Sequence, residues 1–108
     1  MATATFVQRG ENIDYVAAND TAYMEVVPLA ARIGVALEAI AKGATGTVTL
    51  TGVFRLPAAT GALAVGAEAY WDTKASNITG TKGDTTVFAG YTTEAKTESG
   101  ATVAVRIG

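Results

Sequence analysis

Apolar and polar residues alternate with a period of two along most of this chain, and threonine and valine fill the alternation. Both are good strand formers, because a side chain branched at Cβ packs well on a pleated surface. The pattern predicts a series of short strands. Thr3 to Gln8 alternates weakly and reads as an N-terminal strand or arm, set off by the turn cluster Arg9-Gly10-Glu11-Asn12. Ile13, Tyr15 and Ala17 share one face of the next strand. Tyr23 to Val27 leads into Pro28, which ends a strand or confines it to a sheet edge because it has no N–H to donate.

Leu29 to Lys42 carries both periods. Leu29, Ile33, Leu37 and Ile40 fall at helical spacing with Gly43 placed as a C-cap, whereas Ile33, Val35 and Leu37 alternate as a strand. Gly34 weakens the helical option by about 1 kcal/mol relative to alanine. Local pattern alone leaves the two open.

Gly43-Ala44-Thr45-Gly46 reads as a turn. After it Val48 and Leu50 point to one face, and Thr47, Thr49 and Thr51 to the other. That predicts a half-buried strand with a threonine ladder turned toward a partner. Gly52 suggests a bulge that re-aims the chain, with Phe54 and Leu56 continuing beyond it. Pro57 to Gly61 is a break with room for one helical turn. Ala67 to Asp72 is a strand with Tyr70 and Trp71 on opposite faces, and Asn77-Ile78-Thr79 is a short edge strand within a turn-rich stretch. Val87 to Tyr91 is apolar on both faces and reads as a central strand. Thr92 to Gly100 is a polar loop containing Glu94 and Glu98, and Val103, Val105 and Ile107 form a last strand facing the core. The fold expected is all-β: one domain over residues 1–108, a β-sandwich or barrel of short strands with at most one short helical turn, and residues 1–8 as a possible N-terminal arm.

Composition narrows the chemistry. The apolar fraction of 49% and charged fraction of 17% exclude a disordered chain. The net charge of −2 and the scatter of single lysines and arginines give no basic face, so nucleic acid is not an expected partner. There is no cysteine and no histidine, which removes thiol nucleophiles, thiolate sites, the commonest general base and the commonest transition-metal ligand. No run approaches the roughly 20 apolar residues of a membrane helix, and the first residues lack the apolar centre of a secretory signal. The chain is therefore expected to be made soluble where it is translated, with no membrane partner.

No motif for catalysis appears. Gly43-Ala44-Thr45-Gly46-Thr47 and Gly80-Thr81-Lys82-Gly83-Asp84-Thr85 have the glycines of a phosphate loop, but neither places lysine and a hydroxyl directly after its second glycine. The carboxylates Glu11, Asp14, Asp20, Glu25, Asp72 and Asp84 show neither the pairing needed for glycoside hydrolysis nor the spacing of a calcium loop. Asn19-Asp20-Thr21 and Asn77-Ile78-Thr79 match the glycosylation sequon without a secretory context. Tyr70-Trp71-Asp72 is the sharpest local feature. Its aromatics suit either a sugar-stacking platform or ordinary closure of a core, and tryptophan is frequent at binding hot spots.

In order along the chain, Phe6-Val7-Gln8, Ile13-Asp14-Tyr15, Ile33-Gly34-Val35-Ala36, Gly43-Ala44-Thr45-Gly46, Gly52-Val53-Phe54, Leu56-Pro57, Ala59-Thr60-Gly61, Tyr70-Trp71-Asp72 and Val103-Ala104-Val105-Arg106-Ile107 closely resemble a family of tailed-phage structural proteins. These are the small capsid cement, or head decoration, proteins. Members are sometimes labelled recombinase-like, a label the missing phosphate loop argues against here.

The resemblance implies a strand at Ile33 to Leu37, although Ala30-Ala31-Arg32 stands where the family commonly shows a turn. It implies a non-enzymatic structural protein that binds the outer surface of an assembled capsid and bridges neighbouring capsid subunits. The expected partners are the major capsid protein and further copies of this chain, as a trimer rather than a dimer. The expected location is the virion, after synthesis in the bacterial host cytoplasm. Neither cofactor nor metal is expected. Candidate contact residues are Thr5, Phe6, Val7 and Gln8 of the arm, Thr47, Thr49 and Thr51 of the threonine ladder, and Tyr70 with Trp71. The alternative function is a glycan-binding β module using Tyr70 and Trp71.

Overall fold

The computed structural model describes residues 2–108. Nine strands form among them: β1 (Asn12–Val16), β2 (Val26–Pro28), β3 (Ile33–Ala36), β4 (Thr45–Thr49), β5 (Gly52–Pro57), β6 (Glu68–Asp72), β7 (Asn77–Thr79), β8 (Thr86–Thr92) and β9 (Thr102–Ile107). They make two antiparallel sheets, one of four strands in the order β1-β4-β3-β2 and one of five in the order β5-β9-β8-β6-β7. The architecture is an all-β sandwich. The five-stranded sheet curls until its two edges meet at one parallel bridge between Ala58 and Ile78, where the Ala59 N–H donates to the Ile78 carbonyl at 2.8 Å. A single bridge does not close a barrel.

The ambiguous Leu29–Lys42 stretch contains no helix. Only Ile33–Ala36 is regular, as a strand buried on both faces. Ile33 and Val35 turn toward the five-stranded sheet and join Leu56, Trp71, Ile78, Val103, Val105 and Ile107 in the main core. Ala36 turns the other way, into a smaller core with Ala17, Val27, Ile40 and Val48. Gly34 lies on that second side, and a Cβ there would stand 2.4 Å from Val48 Cγ1. Glycine is needed for β3 to approach β4, so the residue that weakens a helix is a packing requirement of the strand. Leu37, which a helical stripe would bury, is 38% exposed.

Two further expectations are corrected by packing. Gly46 is part of β4 and is buried opposite Tyr15, with room for no side chain because Ile40 Cγ1 would lie 2.4 Å from its Cβ. Pro57 to Gly61 makes no helical turn. Its backbone is engaged by Ala101, Ile78 and Glu98 through the N–H groups of Ala58, Ala59 and Gly61. Gly52 does mark a change of direction, since the chain crosses from the four-stranded to the five-stranded sheet between β4 and β5.

The loops that cap one end are joined by Lys96, which is buried within the polar stretch Thr92–Gly100. Its ammonium donates to the carbonyls of Gly61 at 2.6 Å, Thr97 at 3.0 Å and Glu98 at 3.4 Å. Its main chain exchanges hydrogen bonds with Leu63 in both directions, at 2.8 and 3.0 Å. A buried ammonium is tolerable only when its donors are satisfied, and here backbone oxygens satisfy them.

Candidate functional site

No cluster of three or more His, Cys, Asp or Glu side chains exists among the described residues, and no helix there is long and apolar enough to cross a membrane. The features that can act are surfaces.

The first is the arm. Residues 2–9 form no strand and are exposed throughout, with Phe6 and Val7 showing 83% and 84% of their surfaces. No hydrogen bond ties these residues to the body. Thr5 and Gln8 are exposed beside them. Two adjacent apolar side chains held wholly in water are a standing cost that burial against a partner removes.

The threonine ladder is placed otherwise than its alternation suggested. Thr49 is buried, in register with Val35 on the face turned toward the other sheet. Its hydroxyl bonds to the carbonyls of Glu11 and Thr51, both at 3.2 Å. Thr47 and Thr51 are half-buried. Val48, on the other face of β4, is fully buried in the smaller core. The alternation is present, but both faces of β4 are covered, because loops carrying Ala17 and Ile40 pack on the outer one.

Tyr70 and Trp71 are separated by the pleat. Trp71 is 6% exposed and packs in the main core, so it is no part of an exposed platform with Tyr70. Tyr70 looks outward, and its hydroxyl donates to the Glu68 carboxylate at 2.6 Å, which holds the phenol above its usual pKa. Its neighbours on that face are Phe88, edge-on at 5.8 Å between ring centroids, and beyond it Tyr91, edge-on to Phe88 at 5.5 Å. Arg32 lies over the Phe88 ring at 4.9 Å, within cation–π range.

Sequence reasoning missed this ladder for a definite reason. Phe88 and Tyr91 are three residues apart and would fall on opposite faces of a regular strand. Between the pairs Tyr70–Phe88 and Ala69–Gly90 the register shifts by one, so Ala89 is an extra residue and both rings emerge on one side. Gly90 sits at the bulge with φ of 153°, and a Cβ there would be 1.9 Å from the Arg106 carbonyl oxygen. The glycine was a signal that a bulge was there, though not of its partner.

Two carboxylates of this sheet are held by close partners. Arg55 pairs with Glu94 at 2.8 Å, and that contact, helped by the Ala104 N–H, holds the Glu94 carboxyl below its ordinary pKa. Asp72 is likewise lowered. It accepts from the Ala75 and Lys74 N–H groups and the Thr85 hydroxyl at 2.9 to 3.1 Å, and so fixes the β6–β7 turn.

The third surface is a groove of about 490 Å³ between the edge strands β2 and β5, with Trp71 in its wall. Met24, Val26, Pro28, Leu56 and Pro57 supply most of its apolar lining. Two residues with φ in the left-handed region, Met24 at 66° and Ser76 at 56°, lie along it.

Searches of curated proteins and of solved structures found no match to this chain. A family model described as phage cement protein matches residues 7–107, nearly its whole length. With that match spanning its all-β body, this chain belongs to the phage cement protein family.

Proposed function

We propose that this protein binds the outer surface of an assembled phage capsid and bridges neighbouring subunits, so stabilising the head without catalysing a reaction. Family membership supports a structural role in the capsid. The observation that carries the bridging reading is the arm, whose apolar residues Phe6 and Val7 stand clear of the body. An extended segment of this kind adds to a free sheet edge, where main-chain hydrogen bonds give affinity and alternate side chains give specificity. Each copy bound to the shell and not to dispersed subunits shifts the equilibrium toward the shell by mass action. The major capsid protein is the partner, further copies of this chain complete a trimer at a lattice three-fold position, and neither nucleic acid nor membrane is needed.

The test is co-sedimentation with expanded empty heads. A variant lacking residues 1–8 is expected to remain folded and to decorate heads more weakly than the full chain. Undiminished decoration by the truncated protein refutes the role of the arm. Titration with soluble sugars, followed by Trp71 fluorescence, is expected to give no saturable response, because Trp71 and Tyr70 lie on opposite faces of β6 and form no common stacking platform.

A further inference from the structure

The arm needs a receiver, and the groove between β2 and β5 has the shape and chemistry of one. Both flanking strands are sheet edges, so each has main-chain groups unpaired along one side, though Pro28 and Pro57 carry no N–H. The groove volume of about 490 Å³ lies within the range of clefts that enclose small ligands, enough for a phenyl ring and part of its neighbour. Its wall is Met24, Val26, Leu56 and Trp71. Two charged residues line it: Arg55 is already paired with Glu94, whereas Glu25 accepts only the Ala22 N–H, at 3.2 Å, and has no cationic partner among the described residues. The arm carries Arg9, and no acidic residue precedes Glu11. The arm therefore complements the groove in both charge and hydrophobicity.

In this structure the arm does not occupy its own groove. It springs from β1, at the opposite edge of the four-stranded sheet from β2, three strand spacings or about 14 Å away. It also stands clear of the body throughout. We infer that residues 2–9 of one copy dock in the β2–β5 groove of a second copy, with Phe6 seated against Trp71. The inference rests on the reading of the arm as the bridging element and names what it reaches. An arm-to-groove contact joins unlike surfaces, so repetition closes into a ring when the rotation permits, as a trimer does.

The absence of cysteine and the single tryptophan make the test direct. Full-length Thr5→Cys protein is mixed with affinity-tagged full-length Ser76→Cys protein under mild oxidation. Ser76 lies on the groove and is exposed. The mixed disulfide is expected to form well above the level given by Ser99→Cys, which lies outside the groove lining. In parallel, Trp71 emission of the unmodified chain is expected to change with dilution as copies separate. Phe6→Ala is expected to weaken self-association about 30-fold or more, the loss usual for an aromatic anchor.

Three results overturn the inference: no preferential mixed disulfide, an association that Phe6→Ala leaves intact, or a Trp71 signal that depends on the arm but not on concentration, which means docking within one chain. Head decoration separates this inference from the capsid reading. If arm deletion weakens decoration while the mixed disulfide fails to form, exchange between copies falls and the capsid role stands. If the disulfide forms and decoration is indifferent to the arm, the reverse holds.

Discussion

Replacing Lys96 by methionine keeps the length and apolar stem of the side chain and removes only its ammonium. In the native protein that ammonium makes two short bonds, to Gly61 at 2.6 Å and Thr97 at 3.0 Å, and a longer one to Glu98 at 3.4 Å. The carbonyls do not fare equally when it goes. Thr97 retains the Gly100 N–H and Glu98 retains the Gly61 N–H, but the Gly61 carbonyl has no other partner among the described residues. Each charge-assisted bond contributes about 1.5–3 kcal/mol, so the two short ones sum to roughly 3–6 kcal/mol. Methionine avoids the desolvation of a buried ammonium, which takes back on the order of half of that sum. The net loss is about 1.5–3 kcal/mol. For a chain of this length, with unfolding entropy near 2.1 cal/mol/K per residue, the melting midpoint falls by about 7–13 °C.

Thermal unfolding followed by calorimetry measures the midpoint. Amide exchange of Gly61 and Leu63 reports whether the loops they belong to open first, as expected when their shared clamp is lost. A Lys96→Met protein that melts within about 2 °C of the original, with unchanged exchange at those amides, refutes the reasoning. It would mean that the carbonyl cage only compensates the cost of burying the charge.

Gly90→Ala is expected to be among the most damaging single substitutions, because the new Cβ meets the Arg106 carbonyl and φ is 153°. The expected cost is about 3 kcal/mol or more, read by denaturant titration, with loss of the Tyr70–Phe88–Tyr91 stacking visible in near-ultraviolet circular dichroism. Acidification is expected to lower the melting midpoint. Asp72 and Glu94 have lowered values in the folded state, so the stability they contribute is fully present above their ordinary values of 3.8 and 4.5 and is lost as pH falls through the lower folded values. Asp72→Asn is expected to flatten part of that dependence, and an unchanged slope in melting scans below pH 5 contradicts it.

Much of the strand inventory is legible in the sequence because it depends on side-chain period and on punctuation. Ile13 and Tyr15 on one face of β1, Pro28 at a sheet edge, the edge strand at Asn77–Thr79, the central strand around Phe88 and the inward Val103, Val105 and Ile107 all follow from residue order. The absence of cysteine and histidine likewise removes whole classes of chemistry before any fold is known.

The candidate surfaces were less legible. A period of two states that neighbours face opposite ways, but not which way is out. Thr49 and Val48 alternate as expected, yet one turns into the sheet interface and the other into a second core built by the loops around Ala17 and Ile40. Lys96 looks like one more charge in a polar loop until the Gly61 and Glu98 carbonyls, distant in sequence, are brought around it. Local sequence by itself determined most of the strands and the chemistry this protein lacks. Tertiary structure decided which faces are buried, that one extra residue at Ala89 gathers three aromatic rings on one surface, and that two distant edge strands enclose a groove beside Trp71. The reason is physical: period is a property of neighbouring residues, whereas burial belongs to whatever the fold sets opposite them.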